Sequence, residues 1–202
     1  MVMVRQQAKE SRGSGTRRRL TAQDWADAAL AAMSEGGGLA ALAVEPLAAR
    51  LGTTKGSFYW HFTNREALIQ AALERWEEIG TEAVIVEVEA EPDPAKRLRK
   101  LLHRATDSAA DDPLELTLLA TAAHPGVAAV LARVTERRIG YITALFTELG
   151  FPQAEAERRG LLAYSAFLGH TQLSHAVPRT LPTGATHERY LDSVIDTMLG
   201  RE

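Results

Sequence analysis

The sequence has no cysteine among its 202 residues, which excludes disulfide bonds and thiolate chemistry. It also lacks any continuous apolar stretch near the ~20 residues that a membrane-spanning helix needs. Its N-terminal arginines are not followed by an apolar core, so they do not form a signal peptide. We therefore expect a soluble protein of the cytoplasm.

Motifs of enzymes and cofactor-binding proteins are missing as well. No glycine-flanked nucleophile elbow, Walker loop or dinucleotide-binding glycine run occurs. The histidines are scattered, and His170 and His175 are five apart, whereas side chains that share a helical face are three or four apart. We therefore predict no enzyme, no cofactor and no metal site.

Positive charge is unevenly distributed along the chain. The whole sequence carries 23 lysines and arginines against 26 acidic residues, a net charge of -3. The first 20 residues carry six cations against the single acid Glu10, which predicts a flexible basic arm over residues 1–20. Residues 71–202 carry 14 cations against 20 acids, so that part of the chain is a poor ligand for DNA.

The most informative motif is residues 53–62, TTKGSFYWHF. It follows a short predicted helix that ends at Gly52, where a glycine permits the sharp bend of a helix-turn-helix. In the second helix of that pair, Phe58 and Phe62 stand four apart and should both face the core. The opposite side is then free to enter the major groove of DNA, and it carries Lys55, Gly56, Ser57, Tyr59 and Trp60.

Helix-capping signals surround this motif. Thr54 is placed to act as the N-cap of the second helix. Thr63 with Glu66 predicts a capping box that opens the next helix. That helix start would direct free backbone amides and the side chain of Arg65 towards a phosphate.

The helices on either side of the motif support a small domain. Thr21 and Asp24 predict a capping box at the start of the first helix, and three consecutive glycines from Gly36 end it. Three helices of this length enclose little apolar surface, so the fourth helix must tie them to the rest of the chain. Its apolar stripe consists of Leu68, Ile69, Ala72, Leu73 and Trp76.

Residues 20–73 as a whole resemble the DNA-binding domain of the TetR family of bacterial repressors, and TTKGSFYWHFTNREAL resembles its signature. Ala43 departs from the family pattern, since a Ser or Thr often caps the second helix there. Beyond residue 73 the resemblance concerns architecture only. The resemblance implies that the DNA surface is formed by Thr53, Thr54, Lys55, Gly56, Tyr59, Trp60, His61 and Arg65.

The basic arm and the open side of the helix add further candidate contacts to this surface. Arg17, Arg18 and Arg19 would lie beside the helix-turn-helix, where a basic arm suggests contact with the minor groove or with phosphates. Ser57 belongs to the candidate DNA surface by its place on the open side of the helix. An arm that serves only as a solubilising tail is the alternative.

Proline and glycine divide the remainder of the chain into predicted helices. These cover residues 94–110, 113–123, 125–149, 152–177 and 186–199. Residues 81–91 partly alternate apolar and acidic side chains, and we interpret them as a helix end and a loop. The predicted fold is all-α, with a helix-turn-helix DNA-binding domain over residues 21–66 and a helical effector-binding and dimerisation domain over residues 67–202.

Two of these helices suggest assembly. The helix over residues 152–177 is apolar around most of its circumference, and the last helix has a broad apolar stripe. The resemblance implies that this pair forms a four-helix interface in a homodimer, which would engage palindromic half-sites about 34 to 36 Å apart. The alternative is that both helices simply close the core of the monomer.

The resemblance also implies a small-molecule pocket in the second domain, whose occupation releases the DNA. Each candidate for its wall is also suited to plain core packing. We predict a TetR-like repressor released by a small, lipophilic effector. The alternative is a helical small-molecule-binding or interaction module without specific DNA binding. The candidate wall residues lie on central helices and are Leu102, Leu116, Leu119, Tyr141, Leu145, Tyr164, Phe167 and His170.

Overall fold

A computed structural model of the chain describes residues 19–200, and the regular structure in that range is entirely helical. This confirms the all-α fold predicted from the sequence. No helix within that range is both long and apolar enough to cross a membrane. We call residues 21–66 the head and residues 67–200 the body.

The head begins with α1 (Ala22–Ala32), which starts at the predicted capping box. The hydroxyl of Thr21 accepts the amide of Asp24 at 3.2 Å, and the carboxylate of Asp24 accepts the amide of Thr21 at 2.7 Å. A π-helical turn (Met33–Gly37) and a 3₁₀ turn (Gly38–Ala41) follow α1. The regular α-helix therefore ends before the three glycines, and the π-helical and 3₁₀ turns continue the chain through them.

The helix-turn-helix consists of α2 (Val44–Arg50) and α3 (Lys55–Tyr59). Gly52 between them has a φ of 63°, so the bend uses a left-handed backbone conformation that glycine adopts without strain. Phe58 is fully buried, as predicted, and its ring packs edge-on against Trp25 with 5.4 Å between centroids. The turn and the inward face of α3 are thus as the sequence predicts.

Neither α2 nor α3 receives a side-chain cap. Ala43 precedes α2 and has no side-chain oxygen, as its departure from the family pattern implies. Thr54 occupies the N-cap position of α3, as predicted, but its side chain accepts no amide there. Because α3 is also only five residues long, its stability depends on the burial of Phe58 and Phe62.

The next helix, α4 (Arg65–Glu77), begins one residue later than predicted. Oδ1 of Asn64 accepts a backbone amide of the first turn at 2.9 Å, so Asn64 is the N-cap. The predicted capping box of Thr63 and Glu66 is therefore wrong, because Glu66 becomes the second helical residue and cannot reach back to the cap. The carboxylate of Glu66 instead lies 3.2 Å from Nε2 of His124 in the body.

The side chain of Arg65, at the start of α4, points into the head. Its Nε donates to the carbonyl of Leu42 at 3.0 Å, and a terminal nitrogen donates to the carbonyl of Leu39. Both carbonyls belong to the 3₁₀ turn and its end; that of Leu39 also accepts the amide of Leu42 at 3.2 Å. Arg65 therefore links α4 to the segment before α2. Its side chain is still 42% exposed, so contact between Arg65 and a phosphate stays a prediction.

α4 continues through a π-helical turn (Glu78–Glu82) into α5 (Ala83–Glu89). The loop predicted for this stretch is wrong. Thr81, Ile85 and Val88 recur at helical spacing and are all buried, so packing against the body outweighs the partial alternation of apolar and acidic residues. One continuous helical rod, made of α4, the π-helical turn and α5, therefore runs from the head into the body.

The remaining α-helices in the described part of the body agree closely with the predicted ones. They are α6 (Pro94–Asp111), α7 (Leu114–Ala120), α8 (Pro125–Glu148), α9 (Gln153–Ala176) and α10 (Ala185–Leu199). Only α7 is clearly shorter than predicted. The hydroxyl of Thr121 donates to the carbonyl of Thr117 at 2.9 Å and closes the last turn there.

Buried apolar residues form two clusters. One begins in the head with Trp25 and Phe58 and continues into the body through Leu118 and Val130. The other lies wholly in the body, around residues such as Phe146. As predicted, the head does not close its own core: α4, α7 and α8 complete it, and the apolar packing crosses the predicted boundary between residues 66 and 67.

The two long helices α8 and α9 pack closely at Gly160, which yields a first prediction. A Cβ at this position would lie 3.2 Å from the Thr143 amide nitrogen and 3.3 Å from the Ile139 carbonyl oxygen, neither of which can rotate away. We expect Gly160→Ala to lower the free energy of unfolding by about 1–3 kcal/mol in urea denaturation. Gly140→Ala in α8 meets nothing within 4 Å, so it should instead stabilise by about 0.5–1 kcal/mol. Equal effects of both variants would contradict this packing.

The internal role of Arg65 yields a second prediction. We expect Arg65→Ala to lower the free energy of unfolding by about 1–3 kcal/mol, because the part-buried carbonyl of Leu42 loses its side-chain donor and that of Leu39 keeps only the amide of Leu42. Arg50→Ala is the matched control, since Arg50 forms only an exposed pair with Glu35, and its effect should stay within about 0.5 kcal/mol. Urea denaturation measures both. An Arg65→Ala variant as stable as the wild type would contradict the assigned role.

Candidate nucleic-acid interface and body cavity

One side of α3 is directed away from the core. Trp60, at its C-terminal end, has 82% of its surface exposed, and Tyr59 has 56% exposed. Both are large aromatic residues that a folded protein usually buries at least in part. Phe58 is buried on the other side of α3, so the rings of Tyr59 and Trp60 are held outward. We call the exposed segment over residues 53–61 the ridge. Thr54, Lys55 and Gly56 are exposed on the same short segment.

Three other predicted contacts lie at the edge of this ridge. Thr53, Ser57 and His61 are half-buried, and the backbone amides of Thr53 and Ser57 are used within the head. The structure therefore brings together, on one exposed segment, eight of the residues that the sequence singles out for DNA. Arg65 lies outside that segment and bonds to the carbonyls of Leu39 and Leu42. Arg17 and Arg18 lie outside the described residues, and Arg19 is exposed at the start of the described chain.

Gly56 has no packing reason to be a glycine. A Cβ added there would meet only the Thr54 hydroxyl, at an ordinary contact distance of 3.5 Å. A glycine inside a helix lowers its stability by about 1 kcal/mol relative to alanine, so the residue is a cost to α3 that the fold does not explain. A glycine does allow another backbone to approach closely, which agrees with its place on the exposed ridge.

The cations of the head already have partners. Nζ of Lys55 lies 2.5 Å from a carboxylate oxygen of Glu45 on α2, and this contact raises the pKa of Lys55 and lowers that of Glu45. Arg50 forms a two-pronged contact with Glu35, at 2.7 Å for each hydrogen bond. Sequence reasoning missed the ion pair between Glu45 and Lys55. A signal for it existed, because the two residues carry opposite charges on the two short helices of one helix-turn-helix. Lys55 must leave Glu45 to bind a phosphate.

The body contains a cavity of about 450 Å³. Of the predicted wall residues, Leu102, Tyr141, Tyr164 and Phe167 line it. The other four do not. Leu145 is fully buried in the second apolar cluster. On α7, Leu116 is half-buried and Leu119 is exposed. His170 packs against His187 and Tyr190. Burial lowers the pKa of His170, which favours its neutral form in this ring cluster.

A buried ion pair forms the polar end of the cavity. Nη1 of Arg138 donates to Oε2 of Glu115 at 2.9 Å. Its Nε donates to the hydroxyl of Thr81 at 2.9 Å, and its Nη2 donates to the carbonyl of Gly80 at 3.1 Å. The guanidinium also lies over the ring of Trp76, 5.2 Å from its centroid. One arginine of α8 thus binds α7, the π-helical turn and the end of α4 together.

Sequence reasoning missed this ion pair, although a signal for Arg138 exists. Buried residues recur every three or four positions along α8, and Arg138 occupies the next position in this series, which predicts that its side chain points inward. The buried members of that series are Val127, Leu131, Val134, Tyr141 and Leu145. Nearby, the hydroxyl of Tyr164 lies 3.3 Å from that of Thr135, and burial raises the pKa of this tyrosine.

The surface of α9 and α10 carries exposed apolar side chains. Leu162 of α9 is 56% exposed, and Leu173, three helical turns further along, is exposed on the same face. The exposed ring of Tyr190 lies on α10. Within the described residues, these helices leave apolar surface uncovered that a closed monomer core would bury.

Comparison with known proteins connects the head to a family. Residues 26–84 match the family model described as bacterial regulatory proteins, tetR family. The match runs from α1 through the helix-turn-helix and along α4 into α5, and so contains the whole exposed ridge. No curated protein sequence matches the chain.

Solved structures resemble the complete fold. A transcriptional regulator from Rhodococcus sp. Rha1 superposes with a TM-score of 0.71 at 22% identity, over 90% of this chain and 95% of that one. The fatty acid degradation regulator FadR from Bacillus halodurans gives 0.64 at 16% identity, over 89% and 94%. SmeT, the repressor of the Stenotrophomonas maltophilia multidrug efflux pump SmeDEF, gives 0.64 at 18% identity, over 90% and 89%.

At these identities the superpositions show that the fold is shared. The family model, in contrast, matches the head residue pattern that builds the helix-turn-helix and its exposed ridge. Residues 26–84 thus carry the pattern of the tetR family of bacterial regulatory proteins, and the chain as a whole shares the fold of the solved structures.

Proposed function

We propose that this regulator is a repressor that binds a palindromic operator as a homodimer and is released by a small, lipophilic effector. Residues 21–66 would bind DNA, the arm over residues 1–20 would add contacts, and residues 67–202 would bind the effector and form the dimer. The observation that carries the proposal is the ridge of α3, where the rings of Tyr59 and Trp60 remain largely exposed although Tyr59 also packs edge-on against Phe58.

The chemistry of the ridge suits a DNA duplex. Thr54 and Lys55 offer a hydroxyl and a cation to the groove, and Trp60 offers an apolar surface to thymine methyl groups. Tyr59 and His61 can donate hydrogen bonds to phosphate oxygens, which fix the orientation of the helix without reading sequence. Gly56 allows the backbone to come close to the DNA.

The alternative, a binding module without specific affinity for DNA, has one observation in its favour. Within residues 20–70, three cations face five acids, and Lys55 and Arg50 are both paired. Affinity for DNA would then depend on exchange of Glu45 for a phosphate at Lys55, together with the arginines of the arm. A measurement at Lys55 therefore separates the two functions.

Homodimerisation is supported by the apolar faces of α9 and α10. Two heads on one duplex would bind far more tightly than one, because the second contact becomes intramolecular. The shared fold with SmeT, which is named a repressor, supports repression as the mode of regulation. The fold shared with FadR, named a regulator of fatty acid degradation, supports an apolar effector.

The role of Lys55 gives the third prediction. We expect Lys55→Ala to weaken binding to DNA that carries the regulator's own upstream region, because one phosphate contact is lost. The plot of log affinity against log salt should become shallower by about 1. Fluorescence anisotropy over a series of salt concentrations measures both quantities.

Arg50→Ala serves as the control for that experiment. It also removes one head cation from an exposed ion pair, but Arg50 lies at the end of α2 and not on the ridge. Its slope should equal that of the wild type. Unchanged affinity and slope in the Lys55→Ala variant, with its fold verified by circular dichroism, would contradict the placement of the DNA surface.

The apolar face of α9 gives the fourth prediction. We expect the wild type to sediment as a dimer at micromolar concentration in analytical ultracentrifugation. Leu162→Asp should shift it towards monomer, because a dimer interface would have to bury the new carboxylate. Val86→Asp is the control, since Val86 on α5 is even more exposed, at 69%, but lies outside the proposed interface. A monomeric wild type, or a Leu162→Asp variant that remains dimeric, would refute the proposed interface.

A further inference from the structure

We propose that the effector is an uncharged, largely apolar molecule that carries a hydroxyl group, and that Glu115 accepts the hydrogen bond of this hydroxyl. This inference rests on the proposed function, because it names the class of molecule that would occupy the cavity and release the DNA. Its support comes from the shape of the cavity, its charge balance and one buried acceptor.

The cavity suits a small apolar molecule. Its volume of about 450 Å³ lies within the range of roughly 300 to 1,000 Å³ that is usual for small-molecule sites. Its lining is mainly aliphatic and aromatic, with Leu101, Leu102, Ile142 and Phe167 among the contributors. The driving force for binding would therefore be the burial of apolar surface.

The charges that line the cavity interior already cancel. Arg138 and Glu115 pair with each other, and three nitrogens of Arg138 are committed to Glu115, Thr81 and Gly80. A carboxylate on the ligand would have to compete with Glu115 for Arg138. An ammonium group would have to compete with Arg138 for Glu115. Either ion would leave one uncompensated charge in the interior, which is costly.

The mouth of the cavity offers no charge of a single sign either. Arg104 lies there, but it bonds to Ser108 and to Glu87. Asp111 and Asp112 line the same side of the cavity. An anionic ligand would therefore meet the cation of Arg104 together with the carboxylates of Asp111 and Asp112. These charges do not favour an acid over a neutral molecule.

One polar atom in this neutral site lacks a partner. Oε1 of Glu115 is buried and accepts no hydrogen bond, whereas Oε2 accepts from Arg138. An ionised carboxylate can accept several hydrogen bonds. A buried oxygen without a donor, such as Oε1 of Glu115, therefore costs free energy while the cavity holds no ligand. The last torsion of a glutamate is soft, so the carboxylate can turn towards the cavity. A hydroxyl supplies the missing donor without adding charge.

The same site is connected to the head. Arg138 holds Gly80 and Thr81, which belong to the π-helical turn in the rod made of α4, the π-helical turn and α5. π-helical turns within α-helices are found often at functional sites. Arg137 binds Glu82 in the same turn at 2.8 Å. A ligand that shares Glu115 with Arg138 would therefore act on the rod that begins at the head.

Three matched probes test the ligand class: n-decanol, decanoate and decylammonium. They share one apolar chain and differ in the charge of the polar end. We expect the full-length wild type to bind n-decanol at least about tenfold more tightly than either ion, a difference of about 1.4 kcal/mol. Quenching of tryptophan fluorescence provides the titration, because Trp76 lines the cavity. A thermal-shift series confirms the order independently.

Glu115→Gln tests the residue. This change keeps the shape of the side chain but leaves Arg138 without a counter-charge, so decanoate should become the preferred probe, with a gain of at least about tenfold. Glu148→Gln likewise removes the carboxylate partner of an arginine, Arg97, but Glu148 does not line this cavity, so the variant should keep the order of the wild type. If Glu115→Gln does not fold, the order of the three probes on the wild type still decides.

The inference is overturned if the wild type binds none of the probes, if it prefers decanoate or decylammonium, or if Glu115→Gln keeps the order of the wild type. DNA binding by the ligand-free protein is measured separately in each preparation. If the protein binds DNA but the order of the probes differs from the expected one, only the inference about the effector is wrong. If the protein does not bind DNA but prefers n-decanol, the proposed repressor function is wrong, while the assignment of the cavity stands.

Discussion

The incomplete core of the head is the constraint on which the rest of the structure depends. The helices α1 to α3 bury Trp25 and Phe58, but their apolar surface is closed only by α4, α7 and α8. A head that cannot be packed without the body cannot change its position independently of it. The proposed regulation by an effector would then act through this shared packing, because a rearrangement among α4, α7 and α8 would also change the core that supports α3.

Polar contacts add direction to this packing. Arg138 of α8 bonds to Glu115 of α7 and to the π-helical turn of the rod made of α4, that turn and α5. At the head end of the rod, Arg65 holds the segment before α2, while Glu66 faces His124 at the start of α8. The rod is therefore held by specific side chains at its head end and at its π-helical turn. A ligand can shift this arrangement only to the extent that it binds one arrangement more tightly than the other.

Local chemistry explains what the sequence could predict. The capping box of Thr21 and Asp24 and the inward pair Phe58 and Phe62 each depend on residues within four positions of one another. Gly52 was predictable for a similar reason, because a sharp turn between two helices often needs a left-handed backbone conformation, which glycine adopts without strain. The exposed side of α3 then follows from the buried side. The same reasoning failed at Thr63, where two adjacent residues competed to cap one helix and Asn64 prevailed.

The features that sequence reasoning missed join residues that are distant in the chain. Arg65 meets carbonyls that lie 23 and 26 residues before it, and Arg138 meets Glu115 across 23 residues and Thr81 across 57. Backbone carbonyls carry no sequence signal at all. The loop predicted around Thr81 became helix for a related reason, because its buried face exists only once α6 and α8 are in place.

The central claim is that the ridge of α3, presented twice by a symmetric dimer, contacts DNA. Selection of bound duplexes from a random-sequence library by the purified full-length protein tests it most directly, because it presumes no particular gene. The account predicts enrichment of an inverted repeat whose half-sites lie about 34 to 36 Å apart, or a multiple of that distance. A selection at low salt that enriches no sequence, from protein whose fold is intact, would contradict it.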